Sequence, residues 1–379
     1  MERVQRLAKN FFDWALAING AALVLQLFLM FATGLVSMTW GRAVYFWMVR
    51  VHFSEVALAL SILVALFFVV QWERRPPADL DTWRYWLSVV MRYVLAYVYL
   101  DYGFAKIFKG QFTTSLSTLD MPLGEISGFA LAWRFFGYSY AYAVFLAASE
   151  IVGGVLMFFR RTTLIASAIL LPVAVNIVVV NFTHGIGVEA EAILLLLITL
   201  DLFLEDAARL KALFWDHAVI AARTFPAYWN GRAMRFARRG AIAFIVLFTL
   251  FENVLIYVEY ERTTTPLFGA WDVQSYRVNG TVKADAAMWR TLYVDTDRTL
   301  TIRTGAPHVV ECESDAKLQP GRHALALTDV NSNDPFFRGD YETRGQDQLV
   351  MHGTRGRDAI DVTLRRRKSA THSQLVAEQ

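Results

Sequence analysis

Residues 91–109 read MRYVLAYVYLDYGFAKIFK, and this stretch decides the class of fold. It is the second half of an apolar segment that begins near Trp83 and is long enough to cross a bilayer. The segment nevertheless carries Arg92, Asp101 and Lys106. A charged side chain at membrane depth is unfavourable by a few kcal/mol or more unless it is paired or hydrated. The stretch therefore predicts a membrane helix that carries a polar functional site.

Helical spacing indicates which polar residues of this segment share a face of the helix. At about 100° per residue, four positions fall within roughly 60° of one another on one face: Arg92, Tyr99, Gly103 and Lys106. The glycine would let another group approach the backbone closely. A structural interpretation stays open, because Lys106 could reach the membrane interface and the tyrosines, Tyr102 included, could be packing aromatics.

Composition places the chain among polytopic membrane proteins. Of its 379 residues, 55% are hydrophobic and only 19% are charged. The net charge of +3 is too small to argue for a nucleic-acid partner. The single cysteine, Cys312, excludes an intrachain disulfide and a dithiol redox pair, and no Cys/His cluster has zinc spacing, so we expect no metal site.

The apolar runs predict a polytopic α-helical bundle of about seven spanning helices followed by a small antiparallel β-barrel or meander. We place the helices near 12–37, 49–72, 83–109, 139–159, 164–181, 190–204 and 241–260. Lys and Arg are concentrated at one set of helix ends, which predicts a bacterial inner-membrane protein with a cytoplasmic N-terminus and a periplasmic β domain.

Six regions follow from these boundaries. They are two N-terminal helices (1–80), a four-helix core (81–204), a connector (205–239), a seventh helix (240–262), a β domain (263–368) and a disordered tail (369–379). The connector mixes basic and aromatic residues, so we expect it to lie on the cytoplasmic leaflet and bind acidic head groups of membrane lipids.

The β domain begins where the apolar period changes to two. Turn signals separate short alternating strands and indicate about eight of them. We place strands at 271–276, 289–294, 299–303, 308–312, 323–327, 349–352 and 359–364. Gly269-Ala270-Trp271 resembles the Gly-x-Trp opening of lipocalin-like barrels. That resemblance implies that an arginine of the last strand, Arg365 or Arg366, covers the tryptophan.

Further polar residues fall inside the predicted bundle. Glu150 lies among small residues that permit close helix contact, and we expect it to pair with Arg92 in the interior. Topology places Lys106, His184, Glu189 and Glu191 near one membrane face. Asp201, Glu252 and Asn253 are further polar residues in spanning helices. The candidate ligand site comprises Arg92, Tyr99, Tyr102, Lys106, Glu150, Asn176, Asn181 and His184. Ion pairs that only fix helix packing are an equal alternative.

Two segments of the core resemble the DoxX-like membrane proteins. Residues 92–112 end a helix in Gly-x-x-Lys, and residues 149–163 carry Glu150 followed by the paired glycines 153 and 154. The resemblance covers about residues 83–204. It implies a link to quinone-coupled redox chemistry, which the thiosulfate:quinone oxidoreductase subunits of that family suggest.

Three functions remain as hypotheses. The first is a redox-associated component that binds a quinone or isoprenoid-like molecule in the bundle and works with a membrane or periplasmic redox partner protein. The second is a non-enzymatic lipid-binding or assembly factor whose exterior β domain binds a partner. A transporter ranks third, because the helices show no internal repeat or pair of broken helices.

Overall fold

A computed structural model describes most of the predicted core and β domain. The described residues are 9–16, 18–19, 63–68, 70–71, 74–75, 79–220, 231–262, 265–284, 288–295, 299–305, 309–314, 323–330, 332 and 334–367. They divide into two compact units. One lies within Met1–Gln111 and Ala141–Val254, and the other within Phe112–Tyr140 and Leu255–Gln379.

Eight α-helices lie within the described part of residues 80–262. They are α1 Leu80–Ile107, α2 Leu116–Leu119, α3 Gly128–Gly137, α4 Tyr140–Met157, α5 Thr163–His184, α6 Glu189–Leu204, α7 Ala207–Phe214 and α8 Arg232–Arg262. Helix α1 begins where the Asp79 side chain accepts a hydrogen bond from the Thr82 amide. Helix α5 contains Pro172 and ends at Gly185, whose φ of 61° is left-handed.

Among the described residues, three stretches of helix are long and apolar enough to cross a membrane: Tyr140–Met157, Arg160–His184 and Arg232–Val258. The expected number of about seven is therefore not established. Helix α1 carries charged residues along its length, and α6 has 16 residues, which is short for a span. The first two predicted helices, near 12–37 and 49–72, lie largely outside the described residues, of which 9–16, 18–19, 63–68 and 70–71 are helical.

The β domain is a closed antiparallel barrel. Its strands are β1 Gly269–Val278, β2 Thr281–Val282, β3 Trp289–Val294, β4 Thr299–Thr304, β5 Val309–Ser314, β6 Ala324–Asp329, β7 Pro335–Arg344, β8 Gln348–Arg355 and β9 Asp358–Arg366. Neighbours in sequence pair with one another, except that β3 pairs with β1 rather than with β2, and β9 pairs back onto β1. The two-residue β2 is a hairpin extension of β1, so eight strands form the wall. This confirms the predicted up-and-down barrel.

Trp271 and Arg366 close one end of this barrel as the resemblance implied. Trp271 is 1% exposed, and its indole N–H donates to the Leu267 carbonyl oxygen at 2.8 Å. The Arg366 guanidinium lies 4.5 Å from the centre of the indole ring. It also donates to the carbonyl oxygens of Phe268 at 3.1 Å and Pro266 at 2.8 Å. Arg366 thus links the last strand, β9, to the turn that precedes the first strand, β1.

Strand β7 was missing from the predicted strands. The segment Pro335–Arg344 opens with a proline and contains Gly339, Asp340 and a run of polar residues, which are rare in strands. Gly339 is required by tertiary packing, because a Cβ atom there would lie 2.1 Å from the His352 carbonyl oxygen on β8. Close contact with the neighbouring strand therefore outweighs local propensity.

The segment between α1 and α4 is part of the barrel unit, although the sequence placed it within the helical core 81–204. The Asp120 carboxylate accepts hydrogen bonds from the Tyr293 hydroxyl at 2.6 Å and from the Arg367 guanidinium. Arg303 donates to the Asp120 carbonyl oxygen at 3.3 Å. At the start of α2, the Leu116 amide donates to Asp295 at 2.8 Å. These contacts attach residues 116–120 to strands β3 and β4 and to Arg367 beyond β9.

Two carboxyl groups of this attachment have pKa values shifted in opposite directions. Partial burial opposes ionisation of Asp120, but hydrogen bonds from Tyr293 and Arg367 outweigh it and lower its pKa. Burial raises the pKa of Asp295 to about 6, against the effect of the hydrogen bond from the Leu116 amide. Asp120 therefore stays ionised in acid, whereas Asp295 takes up a proton just below neutral pH.

Replacement of Arg366 by alanine should destabilise the barrel by about 2 kcal/mol, because it removes a cation–π contact and two charged hydrogen bonds. Hydrogen exchange of the β1 and β9 amides in the full-length protein should accelerate accordingly. Arg365→Ala is the matched control, since Arg365 is exposed on the same strand. Equal effects of the two substitutions would contradict the role assigned to Arg366.

The attachment of residues 116–120 to the barrel should be strongest near pH 4. Asp295, whose pKa is raised from 3.8 to about 6, contributes stability that is complete below about pH 4 and is lost as the pH rises to 6. Asp120, whose pKa is lowered from 3.8, contributes stability that is lost as the pH falls through its pKa. Hydrogen exchange of the 116–120 amides, corrected for its intrinsic pH dependence, measures the loss of stability on both the acidic and the alkaline side of the maximum. Asp295→Asn should remove the loss of stability at higher pH, and Asp120→Asn should remove the loss at lower pH.

Candidate functional site

Small residues bring α1 and α4 into close contact. A Cβ atom on Gly103 of α1 would lie 2.5 Å from Ile151 Cγ1 and 3.2 Å from the Ala147 carbonyl oxygen of α4. On the facing helix, a Cβ atom on Gly154 would lie 3.3 Å from the Ala96 carbonyl oxygen. The glycine gap predicted on α1 is thus filled by α4, and the two backbones approach as small residues allow.

A buried ion pair joins these two helices. Lys106 Nζ lies 2.7 Å and 2.9 Å from the two carboxylate oxygens of Glu150. The same ammonium donates to the Tyr102 carbonyl oxygen at 3.3 Å and lies 5.7 Å from the centre of the Tyr102 ring. Lys106 is 5% exposed and Glu150 is 3% exposed. Both charges are therefore removed from solvent and neutralised by each other.

The expected pair between Arg92 and Glu150 is wrong. Lys106 and Arg92 are fourteen positions apart on α1, which separates them by about 21 Å along the helix axis. Glu150 is bonded to Lys106, while the Arg92 Nε donates to the Ser88 carbonyl oxygen at 3.3 Å. From the sequence, Lys106 was expected at the outer end of its helix and Arg92 deeper, at the depth expected for Glu150. The actual partner depends on the register of α1 against α4, and the close contacts at Gly103 and Gly154 are part of that register.

The remaining candidate residues are placed as follows. Tyr99 is fully buried beside Thr199 of α6. Asn181 is buried; its Nδ2 donates to the Ile177 carbonyl oxygen at 2.8 Å, and its Oδ1 has no hydrogen-bond partner among the described residues. His184 bonds the Thr183 hydroxyl at 2.8 Å at the end of α5, and Asn176 is exposed. The structure thus brings together Lys106, Glu150 and Tyr102, and not the whole predicted set.

A second polar cluster lies on the opposite face of α1, against α8. Asn253 Nδ2 donates to Asp101 Oδ1 at 2.8 Å. The Tyr97 hydroxyl lies 3.4 Å from Glu252 Oε1, and the Glu252 carboxyl is within hydrogen-bonding reach of Asp101. Sequence spacing separated Asp101 from the Lys106 face, and the polar pair Glu252-Asn253 was recognised as unusual in a spanning helix. That these residues meet was not predictable without the helix order.

A third polar cluster joins the helical residues 9–16 to α1 and α6. Lys9 Nζ lies 3.2 Å from Asp13 and 3.7 Å from Asp201, and Arg84 donates to Asn10 at 2.8 Å. Asp201, which the sequence marked as unusual in a spanning helix, therefore has a cationic partner. In the described part of the chain, no group of three His, Cys, Asp or Glu side chains could hold a metal ion.

The barrel has a cavity of about 540 Å³ at the end opposite Trp271. Its lining includes Lys283, Arg355 and Asp358, together with the buried side chains of Tyr276 and Ile360. Arg355 also lies 4.4 Å from the centre of the Phe336 ring. The cavity lining therefore combines one aromatic side chain with two cationic groups and one carboxylate.

Membrane-length helices, a buried ion pair between helices and a closed barrel define a helical membrane protein with a C-terminal lipocalin-like domain. The chain is 34% identical over 128 residues to the uncharacterized protein YwoB of Bacillus subtilis (strain 168). The match covers 34% of this chain and 82% of that protein. The chain therefore belongs to the family of YwoB. No protein-family model and no solved structure matches it.

Replacing Lys106 by alanine should destabilise the bundle by about 3–5 kcal/mol, because it leaves the Glu150 carboxylate buried without a counter-ion. The double replacement Lys106→Met/Glu150→Leu should recover most of that loss, since it removes both charges and keeps apolar volume. Thermal unfolding of the full-length protein in detergent measures both effects. Lys109→Ala, an exposed change near the end of α1, is the control. An equal loss for Lys106→Ala and Lys109→Ala would contradict this account.

Proposed function

We propose that this protein is a DoxX-like, redox-associated membrane component that binds a quinone or a similar isoprenoid at the Lys106–Glu150 pair. One observation carries the proposal: a fully buried ion pair lies beneath a tyrosine ring between two closely packed helices. A lysine ammonium can donate to a quinone carbonyl oxygen, and a carboxylate can accept from a quinol hydroxyl. The pair therefore offers complementary groups to both redox states of such a ligand.

The second cluster supports proton exchange near this site. Asp101 and Glu252 place two carboxyl groups together on the other face of the helix that carries Lys106. Two carboxylates in contact in an apolar interior disfavour double ionisation, so such a pair favours holding one proton between them. Quinone reduction consumes protons as well as electrons. In this proposal, a membrane or periplasmic redox partner protein supplies the electrons.

A second candidate function is supported by the cavity of the barrel. Lys283 and Arg355 would favour an anionic ligand or an acidic peptide there, and Tyr276 and Ile360 would favour an apolar portion of the same partner. In that case the protein would be a non-enzymatic binding or assembly factor, and the ion pair in the bundle would only fix helix packing.

Mass spectrometry of small molecules extracted from the purified protein tests the first proposal. We expect a near-stoichiometric quinone or isoprenoid in the native protein and in the Lys109→Ala control. It should be absent from the Lys106→Met/Glu150→Leu variant, which should keep its fold because no unpaired charge is left. A native protein without such a ligand that also fails to bind added quinone would refute the proposal. Retention of the ligand by the double variant would place the site elsewhere.

A further inference from the structure

Three arginines converge at the end of the bundle remote from Lys106. Arg92 is on α1, Arg160 begins the short 3-10 helix Arg160–Thr162 that follows α4, and Arg238 is on α8. The Arg160 guanidinium lies 4.9 Å from the centre of the Tyr85 ring, two turns before Arg92 on the same face of α1. Three separate elements therefore deliver positive charge to one place.

Arg92 is the most deeply placed of the three. It is 3% exposed, and its Nε donates to the Ser88 carbonyl oxygen at 3.3 Å. Within the described residues, Arg92 takes part in no ion pair and in no other hydrogen bond. A guanidinium has five N–H donors, so most of its donor capacity is left over. The acidic residue whose charge acts on it is Glu205, which follows α6.

The neighbours of Arg92 increase its need for an anion. Arg160 faces it with a like charge, and Arg238 acts on the adjacent Tyr93. The Tyr93 hydroxyl is buried and has no hydrogen-bond partner among the described residues. Arg160 and Arg238 are half-buried, so water screens their charges more than that of Arg92, which is 3% exposed. The unused donors of the Arg92 guanidinium therefore lie beside two further positive charges at the edge of the bundle.

We propose that Arg92, Arg160 and Arg238 form a binding site for the phosphate group of an anionic phospholipid. Guanidinium groups match the paired oxygens of a phosphate, and the buried Tyr93 hydroxyl adds a neutral donor. The site lies between α1, the end of α4 and α8, and helices α4 and α8 are membrane-length. Basic sites between membrane helices at one bilayer surface are suited to anionic lipid head groups. Acyl chains would then cover the apolar flanks of those helices.

This inference is independent of the proposed quinone site. Lys106 and Arg92 lie about 21 Å apart along α1. The lipid site would persist if no ligand were found at Lys106, and a ligand at Lys106 would not require the lipid. The test of the quinone site and the test of the lipid site can therefore give independent results.

Delipidated full-length protein in neutral detergent provides the test, with native mass spectrometry and thermal unfolding as readouts. The probes are phosphatidylglycerol, a diacylglycerol that has the same chains without phosphate, and inorganic phosphate alone. The variants are Arg92→Gln and Arg160→Gln, and the control is Arg161→Gln, an exposed arginine in the same 3-10 helix. Arg160 lies closer to the surface than Arg92, so Arg160→Gln keeps the test valid if Arg92→Gln fails to fold.

We expect phosphatidylglycerol to bind and to raise the unfolding temperature of the native protein and of Arg161→Gln. Its affinity should fall about tenfold or more in Arg92→Gln and Arg160→Gln, as expected when a charged hydrogen bond is lost. Diacylglycerol should have no effect. Stabilisation by inorganic phosphate that also depends on Arg92 would support the same anion site with a soluble ligand. Equal phosphatidylglycerol binding in all variants, or an equal loss in Arg161→Gln, would overturn the assignment.

Discussion

The unfavourable free energy of placing a charge in apolar surroundings is the constraint on which the helical unit depends. Helix α1 meets it in three different ways along its length. Lys106 pairs with the Glu150 carboxylate, and Asp101 accepts a hydrogen bond from Asn253. Arg92 has a backbone carbonyl oxygen as its partner. The register of α1 against its neighbours follows from the first two arrangements, because a shift of one turn would leave Glu150 or Asp101 without its partner.

The same constraint organises the barrel unit by means of Asp120 and Arg367. Arg367 bonds both Asp120 and Asp272, so two carboxylates share one guanidinium on the outside of the barrel. Asp120 belongs to residues 116–120, which lie in the connection between α1 and α4. The barrel and that connection therefore form one structural unit, although more than a hundred residues separate them in sequence. Removal of the chain from residue 263 onward would expose the face of α2 and leave Asp120 without its partners.

The sequence predicted the features that depend on local pattern. The barrel follows from short alternating strands and turn residues, and Trp271 with Arg366 follows from the lipocalin-like resemblance. Close contact at Gly103 follows from the absence of a side chain.

What the sequence could not predict were choices between equivalent partners. Arg92 was the expected partner of Glu150, and the register of α1 against α4 makes Lys106 the partner instead. The pairing of Asp120 with Arg367 joins residues 247 positions apart, for which no local signal exists. Strand β7 was missed because Gly339 and its polar neighbours are compatible with a strand only beside β8.

A preformed ion pair restricts the ligands that the bundle could accept. A ligand that only accepts hydrogen bonds and displaces Glu150 from Lys106 would leave the Glu150 carboxylate buried without its counter-ion, a loss of several kcal/mol. A ligand that only donates would leave Lys106 in the same state. A group that changes between acceptor and donor can be held beside the intact pair in either form, because one member is always complementary to it. A quinone carbonyl that becomes a quinol hydroxyl changes in this way. Under the proposed function, such a ligand would bond to Lys106 in its oxidised form and to Glu150 in its reduced form, whereas a lipid ester would bond to Lys106 alone.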